Sequence, residues 1–498
     1  MKNYKNSIKK ESEHKFKFKT DKMKVPATFF MSEELLPEEK TFRQVEDITS
    51  NTDLFGYAAM PDICSKPGRK NAAGSTIVSK DYIFPQVNDS DPNCGMRLVK
   101  TNLNEENFKE DEIEILFEEL TSVVPTKKLI GTKIPFETVV DICRKGTSAA
   151  IDYLGIETKN ELENTQNGGN FLEREYSKQE IFNAIPKLYL FFAQYRLGLL
   201  GAAGNHFLDM MKVTDIVDPE MAKKFGLKKG QYLFMVHTGS GILGQYTMYS
   251  YTAKKREHLS QAIMVALGRL TFQSDKKNVY NAIKKEIRKH MNDNSLLKYK
   301  GDSEEGKLYM TARGAASNFG TANRATIIHN INKTIKSMFS RNPEMDLLYD
   351  MPHISVTQEN HFGEDVWVHR GNTSRAFGPS RTNHPIYGET GEPLFIPSSM
   401  STDAYIGVGT DRNEDGFFSA PHGTGKGVNK NEKDVESKKE LFEKMENKGV
   451  KLYNAKSSIV LNQDSARYKD ISKVIEGVEA NGITHIVAKM KPVAVIMY

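Results

Sequence analysis

Apolar positions recur along the chain in two rhythms, a two-residue alternation and a three-to-four-residue stripe, and the switches between them mark the expected elements. The runs YLFMVHT (232–238), LFIP (394–397), AYIGVG (404–409), SSIVLN (457–462) and HIVAKMKPVAVIMY (485–498) are β-rich and bounded by Gly, Pro or polar residues, which predicts strands. Stripes over 105–120, 179–198, 256–271, 311–340 and 431–447 predict helices, the last charged and surface-like. No period repeats, so a mixed α/β (α+β) core is expected rather than a solenoid. Two polar, turn-rich stretches, 158–170 and 297–307, read as surface insertions. Candidate chemistry is spread from Asp91 to His422 and a strand follows it, which predicts one large domain over 25–498 whose chain returns repeatedly to one cleft.

Composition changes this picture little. With 38% hydrophobic and 27% charged residues, the 498-residue chain lies far from the signature of disorder. A net charge of +5 does not by itself argue for a nucleic-acid partner. Local charge does at one place: residues 1–24 hold nine Lys against three acids, interleaved with Tyr4, Phe16 and Phe18, and read as a mobile basic arm. Lys187, Gln194 and Arg196 interrupt the most apolar stretch, so no membrane span is expected. The N-terminus has no apolar secretory segment, and Cys64, Cys94 and Cys143 are too scattered for a disulfide framework, which together predict a cytoplasmic protein.

Five segments carry chemistry. In DSDPNCGMRL, Asp91 and Cys94 share a turn and could bind neighbouring divalent ions, although a buried thiol beside a turn aspartate is the plainer reading of that spacing alone. In GAAGNHFLDM, His206 follows Gly204 and Asn205, which permit close backbone approach to a ligand. In VHTGSGILG, a strand ends in His237 and opens into a Gly-rich turn whose amides suit phosphate. In YDMPHIS, His353 precedes an extended segment and is equally compatible with a hydrogen-bonded structural role. The densest is FFSAPHGTGKGVNK, where His422 stands on a Gly-rich turn followed by Lys426 and Lys430. An imidazole held at one nitrogen is a competent nucleophile, and the lysines and amides supply charge for a triphosphate.

In order, the strings MPDICSKPG, DPNCGMRL, GNHFLDM, HTGSG, GAASNFGTANR, MPHIS, WVHRGNTSRAF, IPSSMSTDAY, HGTGKG and ARYKDISKVI resemble those of the RtcB family of RNA-splicing ligases. The likeness runs from about Met60 to the C-terminus. It implies a buried cleft between central sheets flanked by helices, with two manganese ions held by Asp91, Cys94, His206, His237 and His353, Cys94 bridging them. Asp62 would support the metals. It further implies GTP held by Asn205, Asp209, Ser399, Met400, Ala404, Lys426 and Tyr468, with His422 attacking its α-phosphate. The nucleotide would pass to an RNA 3′-phosphate and be displaced by a 5′-hydroxyl, a 2′,3′-cyclic end being opened first. RNA would be gripped by Arg324, Arg370, Arg375 and the basic arm. The resemblance leaves room for an accessory activator protein and sets no oligomeric state.

The chain also departs from the family pattern. Cys64 stands in place of a His, Ile354 of an Asn and Lys426 of an Arg, and the usual Arg soon after the HTGSG segment is missing. Where the family reads guanine, its Glu is Asp209, its Ser is Ala404 and its C-terminal Lys is replaced near Met497 and Tyr498. Two rivals to an active ligase are a metal-dependent phosphodiesterase and an inactive RNA-end-binding protein. Retention of His422 weighs against the first and of all five metal positions against the second.

Overall fold

The computed structural model describes residues 4–497 except 52, 89–90, 127–129, 202–204, 256–257, 273, 292–294 and 456. Gly204 and Tyr498, singled out above, lie outside the described residues.

Two large sheets face one another. The first has seven strands in the order Ile8–Ser12, Lys15–Phe18, Ala27–Phe29, Leu54–Cys64, Ala73–Ser79, Glu364–Gly371, Ile354–His361. The second runs Met345–Pro352, Gly95–Asn104, Gln231–Thr238, Phe207–Ile216, Thr484–Met497, Ala404–Gly409, Pro393–Ile396, with Lys451–Tyr453 pairing parallel to Thr484–Met497. Period-two alternation splits each strand of the second sheet between two cores. Leu233 and Met235 join Met96 and Phe207 in the core between the sheets, whereas Tyr232, Phe234 and Val236 pack with Leu208 and Met210 against helices. His237 and Asp209 fall on the first of these faces by the same count.

The helix Glu304–Phe339 is buried on nearly all sides, as its mixed small and apolar surface requires. A Cβ at Gly320 would stand 3.1 Å from the Ser240 amide nitrogen and 3.2 Å from the Asn93 carbonyl. Glycine there lets the helix lie directly against two loops of the candidate site.

Four of the five expected strands are present, at Gln231–Thr238, Pro393–Ile396, Ala404–Gly409 and Thr484–Met497. The exception is 457–462, which forms a 3-10 turn, Ser458–Gln463, started by the Ser457 hydroxyl accepting from the Ile459 amide. Only Val460 and Gln463 of it face inward, the one-in-three burial of such a turn. The helix expected over 179–198 breaks into Lys178–Ala184 and Lys187–Ala193, because Pro186 lacks an N–H and holds Ile185 extended. The other expected helices appear as Glu110–Val123, Leu259–Leu270, Glu304–Phe339 and Lys438–Asn447.

Three readings of exposed segments are corrected. The basic arm is a hairpin on the edge of the first sheet: Phe16 and Phe18 point inward, Tyr4 packs edge-on to Phe18 with ring centroids 5.4 Å apart, and the lysines take the outer face. Residues 158–170 are built in, with Glu161 and Asn164 buried and paired to Arg97 and the Leu347 carbonyl. Residues 297–307 bury Leu297 and Tyr299 and supply Ser303, the cap of the long helix.

Candidate functional site

Register across the second sheet places one row of side chains on its inner face: Met96 opposite His237, His237 opposite Phe207, and Phe207 opposite Met497. One step along, Asp209 lies opposite Met235 and Val495. Strand pairing alone thus sets a metal-type ligand beside an apolar floor that carries a single carboxylate.

Beside His237 the buried donors converge. Cys94 Sγ lies 3.3 Å from His206 Nε2 and 3.5 Å from His237 Nε2, and His237 Nε2 lies 2.8 Å from His353 Nε2. Ligand atoms of Cys94, His237 and His353 all fall within 4.8 Å of one another. His206 Nδ1 faces the Leu200 carbonyl at 2.9 Å and His237 Nδ1 the Asn205 carbonyl at 2.8 Å, so each donates from Nδ1 and keeps the Nε2 lone pair for the cluster. Burial holds the His206 imidazole down at about 4 and drives His237 and His353 well below the usual histidine range, which keeps all three neutral. Burial pushes the Cys94 thiol up, with the neighbouring Asp91 carboxylate adding to it. Imidazole lone pairs aimed at a thiol, without a positive side chain among them, are the donor set a divalent cation of intermediate softness takes. The residues therefore fit the metal the family resemblance implies. Asp91 adjoins this trio rather than joining it: its carboxylate accepts from the Ser240 hydroxyl and, at 3.0 Å, from the Gly241 amide, and burial raises it to about 6.

His422 stacks near the cluster, its ring centroid 4.7 Å from that of His353. Its Nδ1 donates to Asp62 Oδ2 at 2.6 Å. Asp62 is therefore a partner of the candidate nucleophile, where the resemblance placed it as a metal support. A Cβ at Gly425, which has φ +72°, would strike the Asp62 backbone, so this glycine brings the His422 loop onto the Asp62 strand. Lys469 clamps that strand by donating to the carbonyls of Pro61 at 2.6 Å and Ile63 at 2.9 Å. Its role escaped the sequence reading, although its place in the ARYKDISKVI string was a signal.

A cavity of about 320 Å3 opens between His422 and the sheet row. All seven predicted nucleotide residues line it: Asn205, Asp209, Ser399, Met400, Ala404, Lys426 and Tyr468. Met96, Phe207, Met211 and Met497 complete its apolar wall. Asp209 is buried with Oδ1 unpartnered, and burial pushes its carboxyl well above the usual range. At the other end the Lys426 ammonium sits 3.7 Å over the Tyr468 ring and donates to Gln463 Oε1 at 3.2 Å and to the Asn462 carbonyl, and burial holds it down to about 7.

A second cavity, about 680 Å3, meets the donor cluster from the opposite direction at Cys94, His206 and His353. Lys66, Arg69, Arg196 and Lys254 line it, with Asp91 the sole acid among the described residues. These four cations were missed; the Lys66–Arg69 turn just beyond the Asp62 strand was the legible clue. The arginines expected to grip RNA are committed elsewhere. Arg324 is wholly buried on Asp350, the Asn93 carbonyl and the Thr238 carbonyl. Arg370 is wholly buried on Glu359, and Arg375 pairs with Glu392.

The family described as tRNA-splicing ligase RtcB matches residues 44–498. A tRNA-splicing ligase RtcB of Methanococcus maripaludis is 30% identical over 96% of this chain and 95% of its own length. One from Pyrococcus horikoshii is 30% identical over 81% of this chain, which spans 44% of that longer relative. An RNA-splicing ligase RtcB homolog 1 of Entamoeba histolytica is 28% identical over 91% of this chain and 83% of its own length.

Proposed function

Because this chain belongs to the RtcB family, we propose that it is an RNA ligase that joins a 3′-phosphate or 2′,3′-cyclic phosphate end to a 5′-hydroxyl end through a nucleotide carried on His422, with GTP as the nucleotide and manganese as the metal. The observation that carries this reading is the pairing of His422 Nδ1 with Asp62 beside a converging Cys–His donor set. Asp62 fixes the imidazole tautomer and leaves Nε2 as the nucleophile, facing the nucleotide cavity. Nε2 bonds to the α-phosphorus as the bond to pyrophosphate breaks, and the carboxylate of Asp62 offsets the imidazolium charge that develops. The RNA 3′-phosphate then displaces His422 from phosphorus, and the 5′-hydroxyl attacks the activated end and releases nucleoside monophosphate. Manganese at Asp91, Cys94, His206, His237 and His353 would supply Lewis-acid charge neutralisation on the reacting phosphates. Lys426, and amides of the Gly-rich turn after His422, meet the remaining phosphate charge.

A phosphodiesterase that only opens cyclic ends needs no nucleotide cavity beside the reacting histidine, so the cavity that His422 lines favours the ligase. The test is incubation with manganese and each α-labelled nucleoside triphosphate, followed by a denaturing gel. An acid-labile labelled band is expected with wild type and none with His422→Ala. Undiminished labelling of His422→Ala removes the proposal.

A further inference from the structure

The cation-lined cavity that meets the donor cluster lies one helix away from a second group of cations. Its wall includes His258 and Gln261, at the start of the helix Leu259–Leu270. Gln261, Val265 and Arg269 follow at i, i+4 and i+8, one row on that helix, so Arg269 lies about 12 Å along the row from the cavity wall. Val265 and Gly268 are buried against the fold, Gly268 beside Tyr189, which seats the helix and fixes which side Arg269 takes. Next to Arg269 stands the helix Lys277–His290, whose sequence KNVYNAIKKEIRKH carries five Lys or Arg and one acid.

Arg269 and Arg288 are close enough to Lys284 that their charges, added to partial burial, push its ammonium down. Among the described residues no carboxylate pairs with Arg269, Lys284, Lys285 or Arg288. The one acid on the helix, Glu286, is taken by Lys289 at 2.8 Å and His290 at 3.5 Å. Arg269 Nε is buried without an acceptor. Like charges held together without counter-charge cost stability unless an anion is shared among them.

We infer that the Arg269–Lys284–Arg288 cluster is a docking surface for the backbone phosphates of the RNA substrate, a few nucleotides back from the end held in the site. The inference rests on the proposed ligase reading for the identity of the polyanion. A span of about 12 Å corresponds to three to four nucleotides at the rise of a stacked strand. Lys254 at the cavity wall carries the same charge sign as the cluster. The cluster reads no sequence; it adds affinity that grows with RNA length and falls with salt.

The experiment uses the full chain and 3′-phosphorylated RNAs of about 4, 12 and 24 nucleotides at several salt concentrations, comparing wild type with the double variant Lys284→Ala/Arg288→Ala. The double variant is expected to bind the shortest RNA as wild type does and the longer ones about tenfold more weakly, with its log Kd against log salt flatter by about 1.4. Lys284→Arg/Arg288→Lys should restore both, separating charge from folding, and His422 labelling should be unchanged in every variant. Identical affinity and salt slope for the long RNAs in wild type and the alanine variant overturns the inference and leaves the cluster to an acidic protein partner. Loss of His422 labelling in wild type, with long-RNA binding still dependent on the cluster, would instead count against the ligase reading alone.

Discussion

The two sides of His237 are built on the same strand row but finished differently. Toward Cys94, the ring nitrogens of His206 and His237 each have a fixed carbonyl partner, and the candidate nucleophile has a carboxylate of its own. Toward Asp209, the wall is Met96, Phe207, Met211, Met400, Ala404 and Met497, and the Asp209 carboxylate keeps a buried oxygen without a partner. Chemistry demands positions held to a fraction of an ångström, whereas flexible thioethers lining the proposed base cavity accept several shapes. The reacting centre is therefore expected to be brittle to substitution and the base site tolerant.

Cys94→Ala should produce the largest loss, exceeding any single replacement of His206, His237 or His353, because its thiol, unlike the neutral imidazoles around it, can bring negative charge to a cation. Metal analysis of the purified variant is the check, and two manganese ions bound as tightly as in wild type would make Cys94 a structural thiol. Asp62→Asn, which removes the charge that holds the His422 tautomer, should slow adduct formation about 100-fold with metal content unchanged. A rate within twofold of wild type would mean that the pair is incidental.

A smaller effect concerns pH. Burial holds Lys426 down to about 7, and a bound triphosphate restores its proton, so binding takes up a proton above that value. Triphosphate affinity should then weaken as pH rises above about 7, by up to tenfold per unit, and stay level below it. Lys426→Arg, charged throughout, should flatten the profile in an equilibrium titration. A further effect is on base choice. An unpaired buried donor costs roughly 1 to 3 kcal/mol, so Asp209→Ala should cut the preference for GTP over other triphosphates by one to two decades. Nucleotide competition in the adduct assay reads this directly. Strict GTP dependence unaffected by Asp209→Ala would break the contrast between a rigid centre and a tolerant base site.

Much of the site was legible because period-two alternation carries its own geometry. Counting by twos from Leu233 reaches His237, and from Phe207 reaches Asp209, on the face that lines the cavity. The same alternation was present in KFKF at Lys15–Phe18, yet charge dominated its reading as an arm; the buried alternate phenylalanines mark it as a strand, second from the edge of the sheet. The arginine roles were not legible. The partners of Arg324 and Arg370 are Asp350 and Glu359, each supplied by another strand or helix, and an arginine beside a motif looks the same whether it faces phosphate or a buried carboxylate. Pro186, by contrast, was a plain local signal that the 179–198 stripe could not be one helix.

The buried charge chain Glu161–Arg97–Asp350–Arg324 bears on the order in which the protein can assemble. Arg97 pairs with both acids, and Arg324 joins Asp350 to the carbonyls of Asn93 and Thr238, each within a residue of a candidate metal ligand. Until residue 350 has been synthesised and placed, two guanidiniums would have to enter the core without their shared carboxylate, at a cost of about 3–5 kcal/mol. The nascent chain thus gains little by closing the Cys94 loop early. The loop becomes rigid only when the strand ending at Pro352 docks, and that event also delivers His353, the last of the clustered donors, so that completion of the donor set and of the core coincide in time.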